Sequence, residues 1–333
     1  MSNKIAVVTG GTAGLGRAIV RELAERGWDV AILARGEDGL DGAAADVRST
    51  GRRALPISVD VADNDAVEAA AERIELELGE IDLWVNDAMV GVFGEFLTTD
   101  PGDFERATHV NYFGFVNGTR AALKRMVPRD RGHVIQIGSA LAHRGIPLQA
   151  AYCASKHAIT GFTESVTTEL IHNKSHVKIS QVDMPAMNTI QFNWVKSQLP
   201  DHPQPVPTIF QPETCARAVA DVAERPRRRS WIGEPTVMTV LGNRFVASFL
   251  DVYLAKTGYS GQQAPEKSEP MLPTNLYEPV AGDHGSRGIF SDKAKESSPQ
   301  IWYTQHRTVT YAAAIGAAAA GLTALVAGVK ARK

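Results

Sequence analysis

Cysteine is nearly missing from this chain of 333 residues, which contains only Cys153 and Cys215 and no Cys-x-x-Cys pair. Two isolated cysteines fit neither a disulfide framework nor a structural zinc site, and they are typical of a reducing compartment. The histidines His109, His143 and His157 also lack the spacing of metal ligands. We therefore expect no metal site, and we expect structural or solvated roles for these histidines.

An excess of positive charge is also absent, because the formal net charge is −2. Nucleic-acid-binding domains normally carry a basic surplus, so no nucleic acid is expected as a partner. The N-terminus passes almost directly into an apolar stretch, Lys4–Thr9, without the charged and long apolar regions of a secretory signal. These features predict that the globular part of the protein stays in the cytosol.

What the sequence does contain is a repeated alternation of short apolar strands and helices. Strands are predicted over residues 4–9, 30–34, 54–59, 81–85, 133–137, 177–182 and 230–233. Repeated β-α-β units form a parallel sheet that is covered by helices, with ligands at the carboxyl ends of its strands. We predict an α/β fold, a Rossmann-type doubly wound sheet of about seven strands, over residues 1–257.

The turn after the first strand reads TGGTAGLG from Thr9 to Gly16. Between a strand and a helix, this pattern predicts dinucleotide binding. Gly10 permits the tight turn, Gly14 lets the backbone approach the pyrophosphate, and Gly16 allows close helix packing. The helix that follows offers unpaired N–H groups and a positive dipole end to the phosphates.

The second strand ends in Ala34-Arg35, where an acidic residue would bind the ribose hydroxyls of NAD. An arginine can instead donate two parallel hydrogen bonds to a 2′-phosphate, which favours NADP(H). The alternative is that Arg35 is a solvated loop residue. After the third strand, Asp60 and Val61 are placed to meet the adenine amino group.

A tyrosine and a lysine, Tyr152 and Lys156, lie four residues apart in a predicted helix and therefore share one face. A free phenol titrates near ~10, and a neighbouring ammonium lowers its pKa toward the range in which proton transfer is efficient. Taken alone, the pair also fits a core tyrosine beside a solvated lysine. Gly10, Asn86 and Ser139 all follow strand ends, so they are expected at the same edge of the sheet.

In order and spacing, these motifs resemble the short-chain dehydrogenase/reductase family over roughly residues 3–235. The chain looks like a C-terminally extended bacterial-type member. The matching motifs are Thr9-Gly10-x-x-x-Gly14-x-Gly16, Asp60-Val61, Asn86-x-Ala88, Asn111, Ser139 and Tyr152-x-x-x-Lys156. The resemblance implies an NADP-dependent oxidoreductase acting on a carbonyl or the matching secondary alcohol, and a homo-oligomer, either a dimer or a tetramer.

The resemblance also implies a role for each matching residue. Tyr152 would donate a proton to the carbonyl oxygen, or accept one in the reverse direction, and Ser139 would hydrogen-bond that oxygen. Lys156 would lower the pKa of Tyr152 and bind the nicotinamide ribose, while Asn111 would hold a water that links Lys156 to solvent. The residues expected to contact the cofactor are Thr9, Gly10, Thr12, Gly14, Leu15, Gly16, Arg35, Asp60, Val61, Asn86, Ala88, Tyr152, Lys156, Pro185 and Thr189.

Two loops depart from the family pattern. The usual Asn-Asn-Ala-Gly is NDAM over residues 86–89, and the usual Pro-Gly after the sixth strand is Pro185-Ala186. We interpret Asp87 as a tolerated substitution, with a functional change as the alternative. A cofactor-binding sensor or scaffold protein without turnover, and an epimerase or dehydratase, remain alternatives to the oxidoreductase.

Residues 190–211 correspond to the substrate lid of the family. The stretch carries four prolines and the apolar residues Phe192, Trp194, Val195, Leu199 and Phe210. An apolar lining favours a hydrophobic substrate. The alternative is that these side chains pack against their own domain.

Beyond the predicted sheet, we expect a helix over 236–255, an extended Pro/Gly-rich arm or linker over 258–305 and a hydrophobic helix over 306–333. The uncharged run Val309–Val329 is long enough, at ~1.5 Å per residue, to cross a hydrocarbon core of ~30 Å. Its alanines make insertion marginal, and one crossing would place Lys330 to Lys333 outside, against the positive-inside tendency. We predict a membrane anchor, with a soluble helix docked on a partner subunit as the alternative.

Overall fold

The computed structural model describes residues 4–264 and 271–306. The strands are, in chain order, β1 (Lys4–Thr9), β2 (Trp28–Ala34), β3 (Ala54–Ser58), β4 (Leu83–Asn86), β5 (Val92–Phe93), β6 (His133–Ser139), β7 (Lys178–Met184), β8 (Lys196–Ser197), β9 (Ile209–Phe210), β10 (Arg229–Trp231) and β11 (Ala294–Lys295). The α-helices are α1 (Gly14–Glu25), α2 (Glu37–Ser49), α3 (Asn64–Glu77), α4 (Pro101–Thr108), α5 (Gly114–Met126), α6 (Ala150–His172), α7 (Gln191–Trp194), α8 (Pro212–Glu224), α9 (Glu234–Gly261) and α10 (Pro299–Gln305).

Seven of these strands form one parallel sheet in the spatial order β10-β7-β6-β4-β1-β2-β3. Every residue of β6 is buried, as are all residues of β1 after Lys4, because helices cover both faces of the sheet. Strands of this kind read as continuous apolar runs, which is why their positions could be predicted. The predicted seven-stranded doubly wound sheet is confirmed.

The strand order reverses between β1 and β4, which are hydrogen-bonded neighbours with Val8 opposite Val85. The loops that follow two such strands diverge to opposite sides, so a crevice opens at the carboxyl edge of the sheet. Thr9, Asn86 and Ser139 end β1, β4 and β6 at this edge. The fold therefore gathers the predicted site residues around one crevice.

The sequence pattern from about residue 104 to residue 126 predicts one long helix, but the structure interrupts it. A π-helical turn, His109–Phe113, separates α4 from α5, and Asn111 lies in this turn. By contrast, the sequence predicts Asp63 as the N-cap of a helix that follows, and this is confirmed, since its carboxylate accepts hydrogen bonds from the amides of Asp65 and Ala66. A π turn inserts one residue into the helical repeat, and such turns occur frequently at functional sites.

The C-terminal part differs from the expected division into domain and linker. The helix α9 continues to Gly261, so the expected boundary between residues 257 and 258 lies inside it. Residues 271–298, which we call the arm, pack on the main domain, and Leu276 is completely buried in its core. The predicted membrane anchor, residues 309–329, lies outside the described residues.

Candidate active site

A cavity of about 860 Å³ lies at the carboxyl edge of the sheet. The predicted site residues that line it are Gly10, Thr12, Gly14, Leu15, Arg35, Asp60, Val61, Ala88, Ser139, Tyr152, Lys156, Pro185 and Thr189. Thr9, Gly16, Asn86 and Asn111 are not part of its lining. The cavity thus brings most of the predicted residues together in one place.

The glycine turn forms a cradle that side chains would fill. Gly10 and Gly14 adopt positive φ angles of 71° and 54°, a conformation that favours glycine. A Cβ atom on Gly16 would lie 2.2 Å from the carbonyl oxygen of Gly10. Thr9 ties this turn to the loop after β4, because its Oγ1 accepts from the amides of Asp87 at 3.0 Å and Ala88 at 3.2 Å. The cradle fits a dinucleotide pyrophosphate at the start of α1.

Tyr152 lies in the cavity with its hydroxyl hydrogen-bonded to Ser139. The Oγ of Ser139 also accepts a hydrogen bond of 3.1 Å from the amide of Leu141, which fixes its direction. Burial raises the pKa of Tyr152, and the hydrogen bond to Ser139 offsets only part of that effect. The sequence predicted a lowered pKa for Tyr152, and the structure differs because the phenol is removed from water.

Lys156 is buried, and its ammonium donates a hydrogen bond of 2.7 Å to the carbonyl oxygen of Ile137. Its Nζ atom lies 4.6 Å from the ring centroid of Phe115 and 5.6 Å from that of Tyr152. Burial lowers the pKa of Lys156, while the carboxylates of Asp87 and Asp183 oppose this effect. The lysine is therefore fixed beside the tyrosine by contacts with the sheet.

Asp87 faces this lysine across the cavity. Burial raises the pKa of Asp87, and the charge of Lys156 and a hydrogen bond from the amide of Gly16 oppose the change. A carboxylate at such a position interacts with both the start of α1 and the ammonium. We interpreted Asp87 as a tolerated substitution, but its burial beside Lys156 favours the alternative, a functional change.

A second buried carboxylate, Asp183, was missed by the sequence analysis. It is completely buried in β7, where it accepts a hydrogen bond of 2.7 Å from Gln181. Its Oδ2 lies 2.8 Å from Nε2 of His143, a residue for which we expected a structural or solvated role. The signal was present, because a charged residue inside a predicted buried strand requires a partner. Its partner could not be identified from the sequence.

The two predicted asparagines brace the wall of the cavity. The amide of Asn86 donates to Gln136 at 2.9 Å and to Thr119 at 3.2 Å, and its Oδ1 accepts from Trp84 at 2.9 Å. Asn111 makes two hydrogen bonds of 2.8 Å with the backbone of Val90. The side chain of Asn86 is thus occupied within the core. The contact of Asn86 with the cofactor stays a prediction. The side chain of Asn111 supports the loop after β4. The water that Asn111 is predicted to hold stays a prediction.

The adenine end of the cavity is bordered by the arm. The guanidinium of Arg35 donates to the carbonyl oxygens of Asn275, of Leu276 at 3.4 Å and of Tyr277 at 2.7 Å. The amide of Gly14 donates to the carbonyl oxygen of Gly285 at 3.0 Å. Two groups predicted to bind the cofactor thus contact the arm in this structure.

An ion pair fastens the arm to α1. Arg17 is almost completely buried, and its guanidinium lies 2.8 Å from Asp283 of the arm and 2.6 Å from Asp46 of α2. Asp60, predicted near the adenine, pairs with Arg106, whose Nε also donates to the carbonyl oxygen of Leu276 at 3.1 Å. The arm is therefore part of the site.

The lid contributes apolar side chains both to its own packing and to the cavity. Phe192 and Val195 form a buried cluster with Phe93 and with Phe290 of the arm. The rings of Phe192 and Phe290 lie 6.2 Å apart in an edge-to-face arrangement. Phe192 and Trp194 also line the cavity. Part of the lid thus lines the cavity, and part of it packs against its own domain.

The fold and the site together define a dinucleotide-binding oxidoreductase. The sequence pattern of short chain dehydrogenases matches residues 4–198, more than half of the chain, and the protein belongs to that family. An uncharacterized oxidoreductase of Bacillus subtilis is 30% identical over 286 residues, which cover 85% of this chain and 80% of the relative. A bovine 3-oxoacyl-[acyl-carrier-protein] reductase is 34% identical over 177 residues, 53% of this chain and 73% of the relative.

Solved structures support the same assignment. An alcohol dehydrogenase from Thermococcus sibiricus, complexed with 5-hydroxy-NADP, is 25% identical with a TM-score of 0.59, covering 69% of this chain and 94% of its own. A metagenomic short-chain oxidoreductase in complex with NADP is 27% identical with a TM-score of 0.59, covering 70% and 97%. The family binds nicotinamide cofactors and acts on small-molecule substrates.

Proposed function

We propose that this oxidoreductase uses NADP(H) to reduce a hydrophobic carbonyl compound, or to oxidise the matching secondary alcohol, with Tyr152 as general acid and base. One observation carries the proposal. The hydroxyl of Tyr152 is bonded to Ser139 and lies beside the buried Lys156, in the same cavity as the glycine cradle.

The protonation of Tyr152 suits reduction. Because burial raises its pKa, the phenol is protonated at neutral pH and can donate a proton to a carbonyl oxygen. Ser139 is directed by the amide of Leu141 and would hydrogen-bond the same oxygen as charge develops on it. When bound, NADPH supplies the hydride for the carbonyl carbon. Lys156 holds a positive charge next to the site of proton transfer.

The preference for NADP(H) rests on Arg35, which lines the cavity at the end of β2, where Ala34 leaves no acidic side chain for a ribose hydroxyl. Its two terminal nitrogens already donate to carbonyl oxygens of the arm. We propose that the arm holds the guanidinium in place and that a 2′-phosphate replaces some of these contacts. Two similar solved structures hold NADP or a derivative of it, which supports this choice.

The hydrophobic substrate follows from the cavity wall opposite the cradle. Met187 and Ile190 come from the segment after β7, while Leu250 and Leu254 come from α9. Apolar lining with few convergent polar groups is typical of sites for apolar ligands. Ser139 and Tyr152 would then orient the reacting carbonyl.

One observation favours a second function, that of an NADP(H)-binding sensor or scaffold without turnover. The arm contacts both the amide of Gly14 and the guanidinium of Arg35, so cofactor binding would change its contacts. In such a protein the arm would report on bound cofactor. Tight binding without turnover would favour this function.

The experiment that separates the two is a panel of ketones and aldehydes, from short and polar to long and lipid-like, with NADPH oxidation followed by absorbance. We expect turnover that improves with chain length. Binding of NADPH without oxidation by any member of the panel would contradict the enzymatic proposal and support the sensor. Substrate conversion with no net change in NADPH would indicate an epimerase or dehydratase.

We also propose that residues 309–329 anchor the protein to a membrane and that the protein forms a homo-oligomer. The uncharged run of the tail supports the anchor, and family membership supports the oligomer. Separating membrane and soluble fractions of the full chain and of a chain shortened to residue 306 tests the anchor. Equal solubility of both would contradict it.

A further inference from the structure

Helix α9 presents an apolar surface to solvent. The helix is kinked at Val246, and exposed apolar residues lie on both sides of the kink; we call them the α9 stripe: Met238, Leu241, Phe245, Phe249 and Val252. Phe245 is 76% exposed and Phe249 is 66% exposed. Bulky apolar side chains are rarely left in water as a continuous set, so such a surface marks an interaction site.

The helix is long and apolar enough to cross a membrane, but its contacts show that it lies on the main domain. At its start, the amide of Gly233 donates to Gln300 at 2.7 Å. In its middle, Arg144 donates to Asn243 at 3.2 Å, and past its end the buried Gln262 donates to the carbonyl oxygen of Pro147 at 3.0 Å. A kinked helix that is bonded to the main domain at its start, in its middle and past its end can meet a membrane only by lying on its surface.

The stripe borders the mouth of the cavity. Gly242, Leu250 and Leu254 of α9 line the cavity, on the side toward the main domain. Met238 and Tyr253 also line it, and both are more than half exposed. An apolar path therefore leads from the solvent-facing side of α9 into the cavity that holds Tyr152.

The surroundings of the stripe favour a lipid surface over a protein partner. Trp302 and Tyr303 of α10 are half-exposed, and α10 is bonded to the start of α9 through Gln300. Indole and phenol rings of this kind collect at the boundary between lipid and water. The uncharged run Val309–Val329 begins four residues after the end of α10 in the sequence, and its length and composition suit a lipid phase.

Arginine residues lie close to these aromatic residues. Arg227 donates to the carbonyl oxygen of Thr304 at 2.8 Å, which brings the arginine-rich loop before β10 against α10. Arg225 and Arg228 of this loop are exposed. Arginines beside exposed aromatic residues attract anionic lipid head groups.

We propose that the α9 stripe docks on an anionic lipid bilayer, so that the cavity opens toward the membrane and the substrate enters from the lipid phase. The docking is independent of the enzymatic function. Only the route of the substrate rests on the proposed function.

The docking is tested with the full chain carrying Phe249→Cys labelled with an environment-sensitive dye, with the buried Cys153 and Cys215 left in place. Leu76→Cys on α3, another exposed apolar residue, serves as the matched control. On vesicles of phosphatidylcholine and phosphatidylglycerol with brominated chains, we expect roughly twofold quenching at position 249 and none at position 76.

Two results would overturn the docking. The first is that the protein binds to vesicles while the dye at position 249 remains in water. This would mean that the tail alone attaches the protein to the membrane. The second is that the dye is shielded without vesicles, because the tail or another copy of the chain then covers the stripe. A rise of that shielding with protein concentration would identify the second copy.

The route of the substrate is tested with the double variant Phe245→Ser and Phe249→Ser, since neither residue lines the cavity. We expect KM to rise about tenfold for a long-chain ketone dissolved in vesicles, with no change for a short water-soluble ketone. An equal effect on both substrates would contradict access from the membrane. Because docking is measured without turnover, a failure of the proposed function would not be confused with a failure of the docking.

Discussion

The two ends of the cavity are built in different ways. At the nicotinamide end, Ser139, Tyr152 and Lys156 come from β6 and α6, within the segment that matches the family. At the adenine end, Arg35 and Gly14 are bordered by the arm, whose contacting residues follow more than 200 positions later in the chain. In the function that we propose, the first end would hold the reacting groups, and the arm at the second end would influence how the cofactor fits.

This difference indicates at which end of the cavity substitutions could occur without loss of turnover. The nicotinamide end is fixed by the sheet, since Lys156 is bonded to the backbone of β6 and Asp183 is buried in β7. The arm is fastened by buried apolar residues such as Leu276 and by polar contacts, among them the pair of the buried Arg17 with the partly exposed Asp283. We therefore expect changes at the first end to affect turnover and changes at the second to affect binding and stability.

The largest effect is expected from Tyr152→Phe. Loss of the proton donor should lower kcat about 10³-fold, within the usual range for general acid catalysis, and should weaken NADPH binding only slightly, because one of many cofactor contacts is removed. Steady-state kinetics and fluorescence titration would measure the two quantities, with Tyr112→Phe as the control. Loss of NADPH binding in Tyr152→Phe would contradict the comparison, because it would mean that the nicotinamide end governs cofactor binding as well as turnover.

The next effect concerns the adenine end. Arg35→Ala should weaken NADPH binding about 10- to 100-fold, because hydrogen bonds to a phosphate involve charged groups, and should leave NADH binding unchanged. Arg48→Ala, an exposed arginine at the far end of α2, is the control. Titration with both cofactors decides the matter: equal weakening for NADPH and NADH would reject the 2′-phosphate assignment.

A smaller effect is expected from Asp87→Asn at the nicotinamide end. Burial lowers the pKa of Lys156 and the carboxylate of Asp87 opposes this, so removing that carboxylate lowers the pKa further. The alkaline decline of kcat/KM for ketone reduction should then shift by about one pH unit toward lower pH. Glu164→Gln, at an exposed position of α6, should leave the profile in place. An unchanged profile in Asp87→Asn would show that Asp87 is a tolerated substitution.

The smallest effect is expected from Asp283→Asn, which loosens the arm. Burial alone would raise the pKa of Asp283, but the hydrogen bond from Arg17 holds it below its usual value. The pair therefore stabilises the fold above the unfolded pKa near ~3.9, by about 1 kcal/mol given the partial exposure of Asp283, and this contribution is lost as pH falls.

Denaturant unfolding at neutral and acidic pH measures this contribution. The free energy of unfolding of Asp283→Asn should lie below that of the wild type at pH 7, and the two should converge in acid. Asp292→Asn, at an exposed position of the arm, is the control. A difference that persists unchanged in acid would mean that the pair with Arg17 is not its origin.

The sheet and the reacting groups could be predicted because local patterns specify them. Apolar runs mark buried parallel strands, and residues that follow such runs gather at one edge whatever the details of packing. Ser139 is predicted at this edge for that reason, whereas Tyr152 and Lys156 are predicted beside it from the resemblance to the family. Asp63 was predicted as an N-cap because a side-chain oxygen before a helix satisfies its first amides.

The rest depends on contacts that leave no local pattern. The side chain of Asn86 turns into the core. Successive side chains of a strand point to opposite faces, and the sequence does not show which face the last residue of the strand takes. Asp183 meets His143 across 40 residues, and Arg17 meets Asp283 across 266. The Pro/Gly-rich arm has no periodicity, so its docking surface is defined only by the complementary residues that it meets. The π turn at Asn111 similarly leaves the apolar pattern of its helix intact.

The central claim is that Tyr152 transfers the proton at the nicotinamide end while the adenine end only binds. Single-turnover oxidation of bound NADPH by a long-chain ketone tests it most directly, with wild type, Tyr152→Phe and Arg35→Ala all saturated with cofactor. The account predicts that Tyr152→Phe loses about three orders of magnitude in the rate of this step and that Arg35→Ala retains the wild-type rate. Equal rates for wild type and Tyr152→Phe would contradict it.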